Sequence, residues 1–397
     1  MPSPIRLKIL YIVDNYYPHI GGAELLFQQL AEGLAAEGHT VTVLAPKNFL
    51  DYLDTEEHNG VRIVRQRVPT FAQRYFFTLL ALLKAIPMAR QHDLIHTATF
   101  NSIPPAWLAG KLTGRKTVLT IYEVWDKKWY RLSGQSWPKA LLLRLIERLL
   151  LLFRFDRVIC ISDSTLRDYR QLVPHSSAQR IYPGVAYADM EAYRLSDEKR
   201  VAFRRKNGWS DSDYVVVGFG RTGISKGFDF LVEAVPAVVS ALPNTHFTFI
   251  WPSAPNFISL RDALVHRLNS FKLGRSVEVL DKQTRADLFG YIQCADCVVV
   301  PSLAEGFGYA ALEACLLAES VVTTTAGSIP EVVSGNVLLV EPADSAALAD
   351  GIILMAKQPV TQQPARQFTN EAMIMAHEQL YHELLNQLNH PDKPLIS

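Results

Sequence analysis

Short, nearly continuous apolar runs alternate with longer stretches of helical period along almost the whole chain. Lys8–Val13 (KILYIV) is apolar at five of six positions, which predicts a buried parallel strand. A helical pattern runs from Leu25 to about Ala36 and stops at Gly38, and Thr40–Ala45 (TVTVLA) predicts a second strand. Val61–Val64 and Asp93–His96 predict further strands on either side of a helix at Tyr75–Arg90. Lys116–Ile121 (KTVLTI) and Arg157–Ile161 (RVICI) predict two more, and Ser162 offers a cap for the helix after the second. Ala186–Asp213 is polar and irregular apart from a charged helix around Asp197–Lys206, so the domain boundary is placed there. The alternation then restarts. Strands are expected at Tyr214–Gly218, Thr245–Trp251, Val277–Leu280, Cys297–Val300, Ser320–Thr324 and Val337–Val340. Helices separate them, one of which opens at Tyr309. Such alternation in both halves implies an α/β protein of two doubly wound domains, 1–188 and 189–368. A last helix, Asn370–Leu388, lies in a tail, 369–397, expected to pack back on the N-terminal domain.

The most apolar helix, Pro138–Phe155, gathers Arg144, Glu147, Arg148 and Arg154 into an arc of roughly 120°. The remaining arc is apolar. It is expected either to pack on the sheet, the favoured reading for a helix between strands, or to meet lipid. Together with Arg74–Leu83 (RYFFTLLALL), this helix is a candidate for resting on an anionic leaflet.

Composition narrows the function classes. The 397 residues are 49% hydrophobic and 20% charged, an ordinary globular balance. Forty Lys+Arg against 39 Asp+Glu leave a net charge of +1, which argues against nucleic acid as a partner. Four cysteines do not make a disulfide framework and suggest a reducing compartment. Cys294 and Cys297 form a lone C-x-x-C, read as buried structural residues. No signal-peptide pattern opens the chain and no run approaches the ~20 apolar residues of a membrane span. The expected location is the cytoplasm, with the inner membrane face as a further candidate.

The candidate chemistry lies at strand ends. In open α/β sheets a ligand binds beyond the C-terminal ends of the strands. Pro301–Pro330 follows a strand and places Gly306-Phe307-Gly308 before a helix, with Glu305 and Glu313 eight positions apart. Free N–H groups and the dipole at such a helix start favour an anion, and glycine lets it approach the backbone. The carboxylates suit neutral hydroxyls instead. That division of labour fits a nucleotide-sugar. Arg221 and Lys226, just past another strand of this half, would neutralise a diphosphate, including the charge it gains as a leaving group. Gly21-Gly22 opens a helix in the first half and is a second candidate phosphate contact, while His96, Tyr122 and Glu123 stand at strand ends there as candidates on the acceptor or sugar side, His96 being read by preference as a satisfied structural histidine. Gly218, Gly220 and Gly223 also spell G-x-G-x-x-G, but the following strand ends Phe249-Ile250-Trp251-Pro252-Ser253 without the carboxylate a dinucleotide's ribose needs, which disfavours an oxidoreductase.

These motifs resemble the retaining glycosyltransferases of the GT-B fold known as family 4. The resemblance rests on Glu305-Gly306-Phe307-Gly308 with Glu313, on Arg221 with Lys226, on Gly21-Gly22-Ala23-Glu24, and on Gly327-Ser328-Ile329-Pro330-Glu331. Asp156–Ser162 and Pro183-Gly184-Val185 are weaker marks. It implies two Rossmann-like domains facing across a cleft, with the C-terminal helix crossing back. It implies transfer of a sugar from a UDP- or GDP-linked donor to a hydroxyl of a glycan or lipid-linked acceptor, with no cofactor beyond the nucleotide-sugar co-substrate and no bound metal. Arg221 and Lys226 would hold the diphosphate, Glu305 would act at the reacting sugar, and Glu313 would hold the ribose. Backbone groups at Phe307, Gly308 and Tyr309 would add phosphate contacts, and Gly21-Gly22 would serve the donor from the other domain. Relatives usually carry a histidine where Tyr122 stands. A nucleotide-sugar epimerase and a non-catalytic nucleotide-sugar-binding relative are the alternatives.

Overall fold

Lys8–Ile12 forms β1, buried at every position but the first. A computed structural model describes residues 6–18, 22–49, 52–69, 71–98, 100–185, 187–358 and 363–389. From β1 the chain runs through α1 (Gly22–Ala36), β2 (Thr40–Lys47), β3 (Thr55–His58), β4 (Val61–Arg67), α2 (Gln73–Ala89), β5 (Leu94–Ala98), α3 (Ile103–Thr113) and β6 (Lys116–Ile121). It continues with α4 (Lys128–Leu132), α5 (Trp137–Leu151), β7 (Arg157–Cys160), α6 (Asp163–Leu172) and β8 (Ala178–Arg180). The second half holds α7 (Tyr187–Glu191), α8 (Asp197–Lys206), β9 (Tyr214–Phe219), α9 (Phe228–Ala241), β10 (Thr245–Ile250), α10 (Ile258–Ser270) and β11 (Val277–Leu280). It ends with α11 (Arg285–Cys294), β12 (Cys297–Val300), α12 (Tyr309–Leu317), β13 (Val321–Thr324), α13 (Ile329–Val332), β14 (Val337–Val340), α14 (Ser345–Lys357) and α15 (Asn370–Asn389).

Two compact units result: Met1–Lys127 with Trp137–Val185 and Phe368–Ser397, and Lys128–Ser136 with Ala186–Gln367. The sequence divides the chain at 188/189 and leaves the first piece unbroken. The structure instead places Lys128–Ser136 in the second unit, where Gly134 lies against the side chain of Ile224.

The first unit is an eight-stranded sheet in the order β3-β4-β2-β1-β5-β6-β7-β8, parallel except for the β3–β4 pair. Alternation along β1 divides its side chains between two layers. Leu10 and Ile12 join Phe77, Ala81, Ala85 and Ala89 of α2, Ile103, Ala106 and Ala109 of α3, and Leu151 of α5 in one core. Tyr11 points the other way, with its ring edge-on to Phe27 of α1 and its hydroxyl 3.0 Å from that of Tyr381 on α15. The C-terminal helix therefore completes the second layer of this unit, and its His39–Glu378 contact of 3.2 Å adds a polar tie.

The second unit is a six-stranded parallel sheet, β11-β10-β9-β12-β13-β14. Its core joins Val216, Phe247, Phe249, Cys297, Val299 and Val322 of the strands to Leu231 and Val235 of α9 and Leu348 and Ile352 of α14. In both sheets the order reverses beside the first strand, between β1 and β5 and between β9 and β12. That reversal splays the loops at the strands' C-terminal ends and opens a crevice there.

Two expectations change. The apolar arc of α5 is not turned to the sheet: Ala140, Glu147 and Leu151 are its buried residues, while Leu142, Leu145, Leu149 and Leu152 are 55–65% exposed. The reason is polar. The Glu147 carboxylate accepts hydrogen bonds from the N–H groups of Trp125 (2.8 Å) and Asp126 (2.7 Å), and Asp126 accepts from Nε of Arg144 (2.7 Å) and Arg148 (2.8 Å). Rolling the helix over would strip the Trp125 and Asp126 N–H groups and the Asp126 carboxylate of these partners. The other is the division of the chain, given above.

Candidate active site

Loops after β9 and β12 build one candidate site, within the second unit. The chain leaves β9 through Gly220, turns at Ile224–Lys226, and re-enters a helix through Gly227 at φ +66°. A Cβ at Gly227 would run into the Pro301 carbonyl oxygen, so only glycine lets the two loops approach. The approach is fixed by the Ser225 carbonyl, which accepts from the N–H of Leu303 (2.8 Å) and Ala304 (3.3 Å). It brings Lys226 to Glu305: Nζ donates to Oε1 at 2.6 Å, and Ser302 Oγ donates to the same oxygen at 2.8 Å. Glu305 is only 11% exposed at its side chain and Lys226 28%, so the pair is sheltered but open to a ligand. Arg221, five positions before Lys226, is exposed and lies over the Phe257 ring at 5.8 Å.

Behind Glu305, Gly327 sits at φ +56°, where a Cβ would strike the Glu305 backbone. Ser328 then donates to the Glu305 carbonyl from both N–H and Oγ, each at 3.2 Å. The Gly327-Ser328 motif thus holds the loop that presents Glu305. Gly308, at φ +91°, starts α12 with no side-chain cap, which leaves the positive end of the helix to a ligand. Phe307 is 3% exposed, so its ring is core and only its backbone can serve the site. Tyr309 packs edge-on to it at 5.0 Å, and its hydroxyl is buried with no hydrogen-bond partner. Glu313 lies farther along α12, 4.0 Å from Arg285. Burial pushes its carboxyl up, and Arg285 offsets part of that. Lys226, Ser302 and Glu305 are brought into direct contact, whereas Arg221 and Glu313 have separate partners. Ser302 was missed in the sequence, although it stands three residues before Glu305 at the strand end.

The first unit holds a cavity of about 260 Å³ at its own sheet reversal. Its lining includes Asp14 and Asn15 after β1, Asn101 after β5, Tyr122 and Glu123 after β6, and Arg74 in the first turn of α2. Asp14 is held by Ser102 Oγ, by the Asn101 N–H at 3.2 Å and by Asn101 Nδ2 at 3.1 Å. Burial nonetheless raises its carboxyl above the usual range. Sequence reading missed Asp14 and Arg74, but Asp14 directly follows a predicted strand, the same signal that pointed to Tyr122. Gly22 is the exposed first residue of α1, and Gly21 lies outside the described residues.

His96 is not in this cavity, which removes it from the candidate sugar contacts and agrees with the favoured reading of a satisfied structural histidine. It is 0% exposed, with Nδ1 2.6 Å from the Tyr381 hydroxyl and Nε2 2.8 Å from Thr120 Oγ1. Burial, with His377 nearby, holds its pKa well below the ordinary value. Its side of β5 faces α15, so it joins the last helix to the sheet. Cys294 and Cys297 are buried thiols, pushed up to about 11 and about 12 by burial. Among the described residues no three His, Cys, Asp or Glu side chains group as metal ligands.

The model for Glycosyltransferase Family 4 matches residues 20–188, and that for Glycosyl transferases group 1 matches residues 213–358. The chain belongs to the GT-B glycosyltransferases of family 4. An uncharacterized glycosyltransferase of Methanocaldococcus jannaschii is 24% identical over 87% of this chain and 88% of its own. The phosphatidylinositol N-acetylglucosaminyltransferase GPI3 subunit of Saccharomyces cerevisiae is 24% identical over 82% of this chain and 69% of its own. The D-inositol 3-phosphate glycosyltransferase of Corynebacterium glutamicum is 26% identical over 68% and 65%. Among solved structures, sucrose-phosphate synthase of Thermosynechococcus elongatus superposes with a TM-score of 0.76 over 96% of this chain and 99% of its own, at 21% identity. Anabaena HepE in complex with UDP and glucose gives 0.70 over 97% and 99%, at 20% identity. These neighbours share the fold, and the family model identifies the glycosyltransferase.

Proposed function

We propose that this glycosyltransferase moves a sugar from a UDP- or GDP-linked donor to an acceptor hydroxyl with retention of anomeric configuration. The observation that carries the reading is the Lys226–Glu305–Ser302 cluster at the sheet reversal of the second unit, 2.6 and 2.8 Å across its two contacts. Lys226 and Arg221 take the diphosphate. Their charge matters most as the bond to the sugar breaks and the β-phosphate gains negative charge. The uncapped start of α12 adds its dipole. Glu305, sheltered and hydrogen-bonded, is held to accept from sugar hydroxyls and to stabilise positive charge as it develops at the anomeric carbon. Glu313 takes the ribose. With the cations in these roles the reaction needs no divalent metal.

Retention follows from departure and attack on one face, the leaving phosphate taking the proton of the acceptor hydroxyl. The acceptor occupies the cavity of the first unit, where Asn15, Tyr122 and Glu123 offer hydrogen bonds and Arg74 offers a cation. Two relatives are named for phosphatidylinositol and D-inositol 3-phosphate, and HepE was solved with UDP and glucose, which supports a nucleotide-sugar donor and a polyhydroxyl acceptor. A panel of UDP- and GDP-sugars tests the reading. Turnover should require one of them, persist in excess chelator, and fall about 10²- to 10³-fold in Glu305→Gln. Turnover that is abolished by chelator and restored by a divalent ion would remove the metal-free part.

A further inference from the structure

We infer that α2, α3 and α5 form a face that docks on an anionic lipid bilayer, beside the mouth of the first unit's cavity. On the outward side of α2, Tyr75, Leu79 and Leu83 recur every fourth residue and are 65–71% exposed, with Phe71 at 68% just before the helix. On α5, Leu142, Leu145, Leu149 and Leu152 fall within an arc of roughly 80° at helical spacing. The buried side of α2 is also apolar, with Phe77, Ala81, Ala85 and Ala89 in the core. A helix apolar on both sides meets a second apolar phase. Between the two lies α3, packed on α2 through the shared core and on the α5 end through Trp107, whose ring is edge-on to Phe153 at 5.0 Å and whose Nε1 donates to the Arg154 carbonyl at 3.1 Å. Leu112 of α3 is exposed as well. These nine large apolar side chains on one helical layer exceed the scattered exposure normal for a monomer.

Charge selects the occupant. The three helices carry one carboxylate, Glu147, and it is buried on the Trp125 and Asp126 N–H groups. Exposed Lys111 and Lys139 lie on the helices, exposed Arg90 directly follows α2, and exposed Arg154 comes three residues after α5. An apolar stripe rimmed by cations and free of exposed acids suits anionic headgroups, each nearby cation adding about 1 kcal/mol. A second copy of the chain meeting this face about a two-fold axis would set cations against cations with no acid between them. Among the described residues no helix is long and apolar enough to cross a membrane, so the contact is one of surface attachment.

The position has a consequence for the acceptor, which rests on the cavity's proposed role. Arg74 belongs both to α2 and to the cavity lining, so the docked helix starts where the cavity opens. A hydroxyl borne by a lipid headgroup would reach the cavity without leaving the bilayer.

Flotation of the full chain with phosphatidylcholine vesicles, with and without phosphatidylglycerol, tests the docking. The protein should float with the anionic vesicles at low salt and sink with neutral ones. Leu79→Glu combined with Leu145→Glu should lower the bound fraction at least tenfold, while the melting temperature and the slow nucleoside diphosphate release from donor alone stay within twofold of the parent. Parent protein that stays at the bottom with anionic vesicles overturns the inference, as does equal flotation of the double variant. A parent dimer that the double variant dissociates, without flotation, assigns the face to a second copy instead. Flotation with no donor turnover leaves the docking standing and removes the transfer reading, and turnover without flotation does the reverse.

Discussion

Glu305 is held by more neighbours than its role as a surface carboxylate would need. Lys226 and Ser302 share its Oε1, and Ser328 secures its carbonyl. Replacement of Lys226 by alanine removes the cation and leaves Glu305 sheltered without a counter-charge. It should lower kcat by about 10²-fold or more, whereas Arg221→Ala, on an exposed side chain, should act chiefly on the donor KM. Steady-state kinetics with the cognate donor separates the two. At Gly227 the demand is steric: φ +66° and the Pro301 carbonyl oxygen leave no room for a Cβ. Gly227→Ala should cost about 2–3 kcal/mol and lower the melting temperature by several degrees, with activity falling further as the Lys226–Glu305 contact loosens. The motif residues at this site were legible because each is a residue type with a chemical duty at a strand end. Ser302 and Asp14 were not, because a serine or an aspartate there is also an ordinary loop residue.

At the level of elements, α5 shows what periodicity can and cannot tell. Its two faces are plain in the sequence, but which face turns inward depends on partners elsewhere in the chain. The Trp125 and Asp126 N–H groups and the Asp126 carboxylate pull Glu147 and Arg144 inward and hold the exposed Arg148 by its Nε, with Asp126 at a left-handed φ of +34°. Burial would raise the Asp126 carboxyl, but the two arginines outweigh it and hold it below the usual range. The clamp also sets the loop that carries Tyr122 and Glu123. Glu147→Ala should therefore cost about 2–4 kcal/mol, from two unsatisfied N–H groups and an unbalanced cation pair, and raise the acceptor KM. Urea titration and acceptor kinetics check the two effects. His96 illustrates the same limit: its strand is legible, but β5 runs on to Ala98 and leaves His96 mid-strand, and its partner Tyr381 lies 285 positions away on α15. That helix also carries His377, 2% exposed, whose pKa burial lowers to about 4, the Met373 carbonyl only partly offsetting it. A histidine held neutral in the fold adds stability above the unfolded value of about 6.5 and loses it as pH falls toward 4. Urea unfolding should show a loss of at least about 3 kcal/mol across that window, and His377→Phe should reduce it while the buried His96 keeps the remainder.

For the whole molecule, the doubly wound plan of both halves was readable from alternating runs, since parallel strands buried on both faces leave little ambiguity. Lys128–Ser136 was not readable as part of the second unit, because its attachment rests on contacts with residues near Ile224, some ninety positions on. The two sheet reversals place the Lys226–Glu305–Ser302 cluster in one unit and the polar cavity in the other, the division that the proposed reading assigns to a donor side and an acceptor side. The account stands on the donor side. Its most direct test incubates the full chain with UDP- and GDP-sugars and a hydroxyl acceptor, and follows nucleoside diphosphate release together with the mass of the glycosylated product. One donor should yield the two in equal amounts, with the rate falling at least a hundredfold in Glu305→Gln at unchanged folding. Undiminished turnover in that variant, or conversion of the donor to an isomeric nucleotide-sugar with no glycosylated product, contradicts it.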